Sequence, residues 1–405
     1  MRKSGGAVIP MQQNSEISFL VGNEEVLHGI DRVPVLPLFD ARVVRFLSAL
    51  SETLQKDTEA RQYGDVLAFA FWLRKAALEQ AARRYRSADR VGRGLAFHIT
   101  PSNIPVQFAV SLVYAWLAGN ASVIRVSQRS FAQVDIICRV LRQLLSSEFA
   151  SLAPYLCIVR FPHDDEMTAQ ISSQADLRLI WGGDRTIAAI RQIPAPPRCL
   201  DLGFSDRFSI AVIDADYYLQ QDRVAAARDF FLDTYYTDQN ACSSSRIVFW
   251  IGKEIEKAKA IFWEALLEEV KRNYQLPEIS GSEKLLKTAL FAEHHEEIRE
   301  VRQTNALVRV EMKRLYSDVM EYKGNSGYFF EYELSSLDEL APIITKECQT
   351  ITCYGERLRE AIKKMLVRKG VKGGDRIVPM GHSLDLSFVW DGYDLPLVLS
   401  RVIAC

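Results

Sequence analysis

The sequence has few of the residue patterns that mark metal sites and disulfide-linked folds. It contains seven cysteines and six histidines, but no C-x-x-C pair. The odd number and the spacing argue against a disulfide framework and a structural zinc site, and they favour a reducing compartment. The one close histidine pair, His294 and His295, would point in different directions on a helix. No metal is therefore expected.

Charge and hydropathy exclude further classes. The formal net charge of −1 predicts no general attraction to nucleic acid or to an anionic membrane surface. The longest apolar run, residues 104–117, is interrupted by Gln107 and Ser111 and is too short to span a bilayer. Residues 1–16 start with basic side chains but have no apolar core of signal-peptide length. We therefore expect a soluble, cytoplasmic protein without a membrane span.

The familiar glycine motifs of nucleotide-binding proteins are also missing. Neither G-x-G-x-x-G nor a Walker A sequence occurs. The sequence therefore gives little support for a standard Rossmann dinucleotide site or for a P-loop. Gly182 and Gly183 nevertheless follow a predicted strand and open a predicted helix, which lets a pyrophosphate approach a helix N-terminus. With 405 residues, the chain is predicted to form two large domains or one extended α/β assembly.

What is present is a regular alternation of strand-like and helix-like segments. This rhythm predicts βαβ units and a parallel sheet, whose ligands bind at the carboxyl ends of the strands. The turns at residues 100–103, 125–129 and 182–184 should therefore lie along one edge. The predicted strands are residues 95–99, 121–126, 155–161 and 177–181, and the predicted helices are residues 104–117, 131–145, 164–175 and 184–192.

Outside this region the apolar spacing predicts a second set of elements. Helical spacing occurs at residues 38–54 and 65–86. A proline-rich stretch at residues 194–197 ends the first domain. Beyond it we predict strands at residues 208–213, 247–251, 307–310 and 328–332, and helices through residue 236, at 254–271, near 293–302 and around 355–369.

One cysteine lies in a turn of small polar residues. Residues 240–245 read NACSSS and directly precede a predicted strand, so Cys242 should be accessible to a substrate. A catalytic cysteine reacts as the thiolate, whose formation needs cations, dipoles or hydrogen-bond donors that lower its pKa. We predict that Cys242 is a nucleophile; a purely structural cysteine is the alternative.

The turn at residues 100–103 joins a predicted strand to a predicted helix. Pro101 and Pro105 restrict the backbone around Ser102 and Asn103. The Asn103 amide is then placed to donate a hydrogen bond to an oxyanion. The alternative is that Asn103 only caps the helix.

The strand end near residue 125 carries two cations. Arg125 and Arg129 flank Ser127, an arrangement that suits a phosphate or a ribose. Gln128 stands where a carboxylate would accept from ribose hydroxyls and repel a 2′-phosphate. Its neutral amide therefore favours NADPH over NADH.

Three side chains are candidate bases. Asp201 ends a predicted strand and is either a general base or a cap or salt-bridge partner. His98 lies in a predicted strand and is expected in the core or at its rim. A Cys–His hydrolase dyad using His98 or His382 has little support from the spacing.

These segments follow one another in a recognisable order. HITPSNIP, LAGNASVIRV, WGGDRTIAAIR, DQNACSS and the ending DRIVPMGHSLDLSFVWDGYDL span residues 95–401. Together they resemble the aldehyde dehydrogenase superfamily and, more closely, the acyl-CoA reductase family typified by the fatty-acid reductase of bacterial luminescence (LuxC-like). Residues 1–90 add little to this match.

The resemblance implies an α/β, aldehyde dehydrogenase-like fold with two parallel-sheet domains, and a homo-oligomer. A Rossmann-like NADP-binding domain is expected at residues 1–207, completed by 386–405, and a catalytic domain carrying the cysteine at 208–385. Thr100, Pro101 and Ser102 belong to the implied cofactor site. Glu321 is a loose counterpart of the glutamate that holds the nicotinamide ribose. Asp201 stands where hydrolytic relatives have a glutamate base, which weakens any water activation.

The implied reaction is the NADPH-dependent reduction of an acyl-CoA or acyl-thioester to an aldehyde. Cys242 attacks the thioester carbonyl, and the oxyanion is held by the Asn103 amide and the Cys242 N–H. The acyl-enzyme then receives the hydride. The resemblance also implies an acyl group delivered by a partner synthetase or acyltransferase. The alternatives are an aldehyde dehydrogenase oxidising aldehyde to acid, a cysteine acyltransferase or thioesterase, and a non-catalytic scaffold.

Overall fold

The structure is a computed structural model and describes residues 17–85, 87, 89–162, 165–277 and 279–404. The prediction made for residues 1–16 lies outside these ranges. The chain divides into two compact units. The first comprises Met1–Ser205 and Tyr393–Cys405, and the second comprises Asp206–Gly392. Residues 386–392, expected in the cofactor domain, therefore belong to the second unit.

A mainly parallel sheet forms the centre of the first unit. Its strands lie in the order β1 (Ser18–Val21), β5 (Leu156–Arg160), β4 (Ala121–Arg125), β3 (Leu95–Ile99), β6 (Leu177–Trp181) and β7 (Leu200–Phe204), with β1 antiparallel to β5 and the others parallel. The central strands are buried along almost their whole length, as expected when helices cover both faces of a parallel sheet. The strands of this part of the chain are, in sequence order, β1 (Ser18–Val21), β2 (Arg90–Gly92), β3 (Leu95–Ile99), β4 (Ala121–Arg125), β5 (Leu156–Arg160), β6 (Leu177–Trp181) and β7 (Leu200–Phe204). Of these, β2 lies outside the central sheet.

The helices of the first unit correct two sequence-based predictions. The single helix predicted at residues 65–86 is two helices, because the chain turns at Leu73, which is fully buried between them. The helix predicted to start at residue 104 starts at Gln107, with Val106 before it. The helices are α1 (Glu24–Gly29), α2 (Ala41–Lys56), α3 (Gly64–Trp72), α4 (Lys75–Tyr85), α5 (Gln107–Leu117), α6 (Ala132–Leu145), α7 (Asp165–Ser172) and α8 (Asp184–Gln192).

A second, mainly parallel sheet forms the centre of the second unit. Successive residues of its strands face opposite sides, so Phe249 packs in one core cluster while Trp250 packs in the other. The strands are β8 (Phe208–Asp214), β9 (Ser245–Ile251), β10 (Ile298–Gln303), β11 (Val308–Met312), β12 (Tyr328–Glu333), β13 (Cys348–Tyr354), β14 (Arg376–Pro379) and β15 (Val389–Trp390). The sheet order is β10-β11-β12-β9-β8-β13-β14, with β10 antiparallel to β11.

The helices of the second unit include another correction. The charged helix predicted near residues 293–302 is wrong, since a helix ends at His294 and residues 298–303 form β10. Charged side chains on this edge strand hinder pairing with another chain, and they had suggested a helix. The helices are α9 (Ala215–Tyr218), α10 (Arg223–Asp233), α11 (Ile255–Asn273), α12 (Ser280–His294) and α13 (Leu358–Lys369).

The chain then returns to the first unit. It forms β16 (Tyr393–Asp394), α14 (Leu395–Val398) and β17 (Ser400–Val402). β17 pairs antiparallel with β2, and the buried Asn120 amide donates to the Leu399 carbonyl at 2.9 Å. None of the helices in the described ranges has the length and hydropathy needed to cross a membrane.

Each sheet brings several chain segments to one edge. In the first unit β4, β3 and β6 are parallel neighbours, so the turns at residues 100–103, 125–129 and 182–184 follow their carboxyl ends, as predicted. We call this the carboxyl edge. In the second unit β12, β9, β8 and β13 are parallel neighbours. Their amino ends gather residues 206–207, 238–244, 322–327 and 342–347, which we call the amino edge.

Candidate functional site

Cys242 lies at the amino edge, in a turn with unusual backbone geometry. The turn connects a 3-10 helix, Tyr235–Thr237, to β9. Asp238 and Gln239 have φ values of 51° and 56°, the left-handed region that favours glycine. Each such residue costs on the order of 1–3 kcal/mol and persists only where surrounding contacts enforce it. The backbone leading to Cys242 is therefore held in place by its neighbours.

Gln239 supplies much of that support through its side chain. The side chain is fully buried. Its Oε1 accepts from the main-chain N–H groups of Gly327 at 2.7 Å and Tyr328 at 2.9 Å. Its Nε2 donates to the carbonyl oxygens of Ser245 and Tyr328, both at 3.1 Å. All four bonds join the cysteine turn to the start of β12 and β9.

Arg246 ties down the same turn from its other end. Its guanidinium donates to the carbonyls of Gln239 and Gly324 and, at 2.6 Å, to the Asn325 side chain. No carboxylate forms an ion pair with it in the part of the chain that the structure describes, and burial lowers the pKa of Arg246 to about 10. Asn325 also donates to the Asn240 side chain at 2.9 Å. A buried cation without a counter-charge thus adjoins the cysteine turn.

The surroundings of Cys242 act on both its carbonyl and its sulfur. The Ser209 hydroxyl donates to the Cys242 carbonyl at 2.7 Å, and the main-chain N–H of Arg207 hydrogen bonds to the sulfur. Burial raises the pKa of the half-buried Cys242 thiol, as do Asp391 and Asp206, while the Arg207 N–H and Lys323 lower it. Burial prevails, so Cys242 rests as a thiol at neutral pH.

The two histidines considered as bases for Cys242 have other roles. His98 is fully buried and hydrogen bonds to Ser111 at 2.6 Å and Ser122 at 3.2 Å; burial lowers its pKa to about 3. The expectation of a core histidine is confirmed. His382 is exposed, and its Nδ1 lies 2.8 Å from the Asp385 carboxylate. Neither placement supports a Cys–His dyad.

At the carboxyl edge, Asn103 is not a helix cap. Its side chain is exposed, and α5 begins only at Gln107. The Thr100 hydroxyl donates to the Arg125 carbonyl at 2.9 Å, which joins the turns after β3 and β4. Pro101 and Ser102 continue the first of these turns. The Asn103 amide is therefore available to a ligand.

Two arginines, one at the end of β4 and one just beyond it, differ in how exposed they are to a ligand. The Arg125 guanidinium donates to the Pro162 carbonyl at 3.1 Å and lies 4.9 Å from the centre of the Phe161 ring. It is already engaged within the protein, which weakens its predicted role as a phosphate ligand. Arg129 is exposed, and its main-chain N–H donates to the Ser127 hydroxyl at 3.1 Å.

The rest of the carboxyl edge fits a dinucleotide. Gln128 is exposed beside Arg129. Gly183 precedes α8, and no side chain caps the first N–H groups of that helix, which leaves them open to a phosphate. Asp184 in the first turn of α8 is an unfavourable charge. The neutral and cationic groups present can hold a nicotinamide cofactor.

Asp201 has a structural partner. Its carboxylate accepts from the Arg178 guanidinium at 2.7 and 2.6 Å, and Arg178 also donates to the carbonyls of Ile190 and Ile193. The Arg178 side chain is 3% exposed. An aspartate held by a buried arginine is poorly suited to activate water, so the predicted base role has no support here. Glu321 is exposed on the 3-10 helix Val319–Tyr322.

The carboxylates that come closest to a metal-binding geometry are already neutralised. Glu256, Glu311 and Glu333 have oxygens within 4.8 Å of one another. Lys259 donates to Glu311 at 2.8 Å and to Glu333 at 2.5 Å. Arg299 contacts all three carboxylates at 3.5, 2.8 and 2.7 Å. This group is an ion-pair network.

Sequence reasoning missed Gln239, Arg246 and Arg207. Gln239 and Arg246 lie close to Cys242 in the sequence, and this proximity was the only available signal. Arg246 finds a partner 78 residues away at Gly324, and Gln239 finds one 89 residues away at Tyr328. Such contacts have no local pattern from which they can be predicted.

Some known proteins are similar to this chain in sequence, and others are similar to it in fold. The family described as Acyl-CoA reductase (LuxC) matches residues 22–324. A long-chain acyl-protein thioester reductase of Aliivibrio fischeri is 26% identical over 301 residues, which cover 71% of this chain and 58% of that relative. The chain thus spans little more than half the length of this relative.

Solved structures confirm the predicted fold class. A lactaldehyde dehydrogenase has a TM-score of 0.61 at 14% identity, covering 87% of this chain and 82% of that one. A mutant form of the 1-pyrroline-5-carboxylate dehydrogenase of Thermus thermophilus has a TM-score of 0.61 at 11% identity, covering 94% of this chain and 83% of that one. The fold is α/β and aldehyde dehydrogenase-like.

Proposed function

The chain belongs to the acyl-CoA reductase (LuxC) family, and from this premise we propose that it reduces an acyl thioester to an aldehyde through an acyl group bound to Cys242. The observation that carries the proposal is the fixed turn around Cys242. The buried side chains of Gln239 and Arg246 hold the sulfur-bearing segment, although two of its residues have left-handed backbone angles. A covalent intermediate benefits from such a position, because a reacting atom held in place needs less ordering in the transition state.

In the first half of the proposed reaction, the acyl group moves from the donor thiol to Cys242, and one proton moves in the opposite direction. Cys242 starts as a thiol because burial raises its pKa. As its sulfur bonds to the thioester carbonyl, its proton passes to the departing sulfur, which leaves as a thiol. The Cys242 N–H and the exposed Asn103 amide are the proposed donors to the oxyanion. One thioester replaces another, and no water takes part.

The second half of the reaction needs a hydride. A reduced nicotinamide, when bound, supplies that hydride and so the two electrons that convert the acyl group to the aldehyde level. The bond from the acyl carbon to sulfur then breaks, and Cys242 takes up a proton again. Excluding water matters at this stage because hydrolysis would give the acid. The engagement of Asp201 with Arg178 is consistent with a site that does not activate water.

We infer that the carboxyl edge holds the cofactor. Gly182 and Gly183 leave the start of α8 open to the pyrophosphate. Gln128 and Arg129 are placed to meet the ribose of the adenosine, and their lack of negative charge favours NADPH. Glu321 remains the proposed partner of the nicotinamide ribose.

The acyl donor and the assembly are part of the proposal. An acyl-CoA and a protein-bound acyl group are both thioesters, and the relative from Aliivibrio fischeri is named for the acyl-protein form. We therefore propose that a synthetase or acyltransferase partner delivers the acyl group. We also propose a homo-oligomer in the cytoplasm.

Mass spectrometry tests the first covalent step. The protein is incubated with acetyl-, octanoyl- and myristoyl-CoA, with and without NADPH. We expect an acyl adduct on Cys242 that NADPH discharges as aldehyde. The variant Cys242→Ala should form no adduct, whereas Cys199→Ala, at another half-buried cysteine, should behave like the wild type.

Two results would contradict the proposal. One is that no acyl donor labels Cys242. The other is that free aldehyde and NADP⁺, without CoA, are converted to acid faster than the thioester is reduced. That second result would assign the chain to aldehyde oxidation and would require a base other than Asp201.

A further inference from the structure

A cavity of about 280 Å³ lies at the amino edge of the second unit. Its wall includes Phe208 at the start of β8, Val319 and Met320 from the 3-10 helix before β12, and Ile343 from the segment before β13. Phe208, Val319 and Ile343 are also members of the core of this unit. The cavity therefore has an apolar side, which is built on the core of the unit.

The cavity and Cys242 share their neighbours. Ser209, whose hydroxyl donates to the Cys242 carbonyl, directly follows Phe208 in the cavity wall. Arg207 lines the cavity, and its main-chain N–H hydrogen bonds to the Cys242 sulfur. Asp206 and Lys323 also line it. The wall of the cavity thus adjoins residues that contact the cysteine turn.

The charged side chains of this wall do not favour an anionic ligand. The Arg207 guanidinium donates to Asp375 at 3.0 Å and lies 3.5 Å from Asp391. Two carboxylates therefore neutralise the most enclosed cation of the wall. Asp206 and Glu347 add negative charge to the lining. A phosphate or a dinucleotide would meet little net attraction, whereas an alkyl chain needs no counter-charge and can lie against the apolar side of the cavity.

We propose that this cavity binds the acyl chain of the thioester and that it suits a chain of medium length. The inference rests on the proposed function, because it places the acyl carbonyl at Cys242 and the chain among Phe208, Val319 and Met320. A water-sized group takes about 30 Å³, so the volume accommodates on the order of nine such groups. Chains of about eight to ten carbons therefore fill it.

Two opposite changes at one residue test the assignment. Met320 is half-buried in the wall, so it can be altered with less risk to folding than Val319. The measurement is the rate at which acetyl-, octanoyl- and myristoyl-CoA acylate Cys242 without NADPH. In the wild type, each added methylene should raise the rate about fourfold until the cavity is full. Longer chains should then gain nothing.

Met320→Trp fills the cavity and should lower the octanoyl-to-acetyl ratio at least tenfold. Met320→Ala enlarges it and should move the preference towards myristoyl. Val367→Trp adds the same ring at a side chain that is 77% exposed on α13, and it should leave the chain-length profile as in the wild type.

The proposal is overturned if both Met320 variants keep the wild-type chain-length profile. It is also overturned if they change only the NADPH concentration needed for aldehyde release, because the cavity would then belong to the cofactor. Failure of the proposed function looks different, since no donor of any length would then label Cys242 in the wild type.

Discussion

The two units carry their candidate site residues at opposite ends of their parallel strands. In the first unit the exposed Asn103, Gln128 and Arg129 follow the carboxyl ends. In the second, Cys242 precedes the amino end of β9. The amino edge holds Asp238, Gln239 and Ser326 with positive φ. None of the non-glycine residues at the described carboxyl edge has one.

This difference matches the different tasks proposed for the two edges. A cofactor must bind and leave in every turnover, so an open edge with exposed side chains suits it. A sulfur that carries a covalent intermediate must return to one position, which buried amides and a buried guanidinium provide. The more constrained backbone thus lies at the edge where we propose that the covalent bond forms.

If Asp201 has a structural role in the first unit and is not a catalytic base, its replacement should mainly reduce the stability of the protein. Asp201→Leu leaves the buried Arg178 without its counter-charge and should lower the free energy of unfolding by about 3 kcal/mol. Urea denaturation measures this loss. The double variant Arg178→Met with Asp201→Leu should recover most of it. Near-normal stability with slower hydrolysis of the acyl group on Cys242 would instead support a base role.

If Arg246 makes the amino edge rigid, its removal should loosen the cysteine turn. Arg246→Met leaves the Gln239 and Gly324 carbonyls without a donor and should cost about 2 kcal/mol. It should also slow alkylation of Cys242 by iodoacetamide at pH 8, because a cation near the thiolate is lost.

Arg246→Lys separates the two effects. It keeps the charge and should keep most of the alkylation rate while losing part of the stability. Arg302→Met, at an exposed arginine of the same unit, is the matched control. Equal alkylation rates in Arg246→Met and the wild type would show that the guanidinium does not influence the sulfur.

If the carboxyl edge distinguishes NADPH from NADH, a single added charge there should change the cofactor preference of the enzyme. Gln128→Glu should raise the KM for NADPH about tenfold and leave that for NADH nearly unchanged, because a carboxylate repels the 2′-phosphate. Steady-state kinetics with both cofactors measure this. Gln174→Glu makes the same change at an exposed position after α7 and should have no effect. Identical effects of the two variants would remove Gln128 from the cofactor site.

The smallest effects concern the exposed charges around Cys242. Lys323 lowers the pKa of the thiol and Asp206 raises it. Lys323→Met should therefore raise the pKa and slow alkylation at a fixed pH, while Asp206→Asn should lower the pKa and speed it. Each shift should be below about one unit because both side chains are exposed to solvent.

The pH profile of iodoacetamide alkylation measures these shifts. In the wild type the rate should keep rising with pH beyond the range of an ordinary cysteine, since the folded-state pKa is raised. Lys372→Met, an exposed lysine of the same unit, is the control. Shifts in the same direction for Lys323→Met and Asp206→Asn would contradict the electrostatic account.

Sequence periodicity predicted the sheet of the first unit well, because its strands are short apolar runs separated by glycine, asparagine and proline. It failed where local pattern and packing disagree. Residues 298–303 carry charges typical of a solvated helix, yet they form an edge strand on β11. Asn103 sits before a helical run as a cap would, yet the helix starts at Gln107.

The sequence alone determined the alternation of strands and helices, the small-residue turn around Cys242 and the neutral Gln128 at the end of β4. These features are local, so neighbouring residues specify them. The tertiary structure decided the protonation of Cys242 and the pairing of Asp201 with Arg178. It also decided the contacts of Arg125 with Phe161 and Pro162, and the hydrogen bonds by which Arg246 holds the cysteine turn. Each of these depends on burial and on partners distant in the chain, since the energy of a charge is set by what surrounds it after folding.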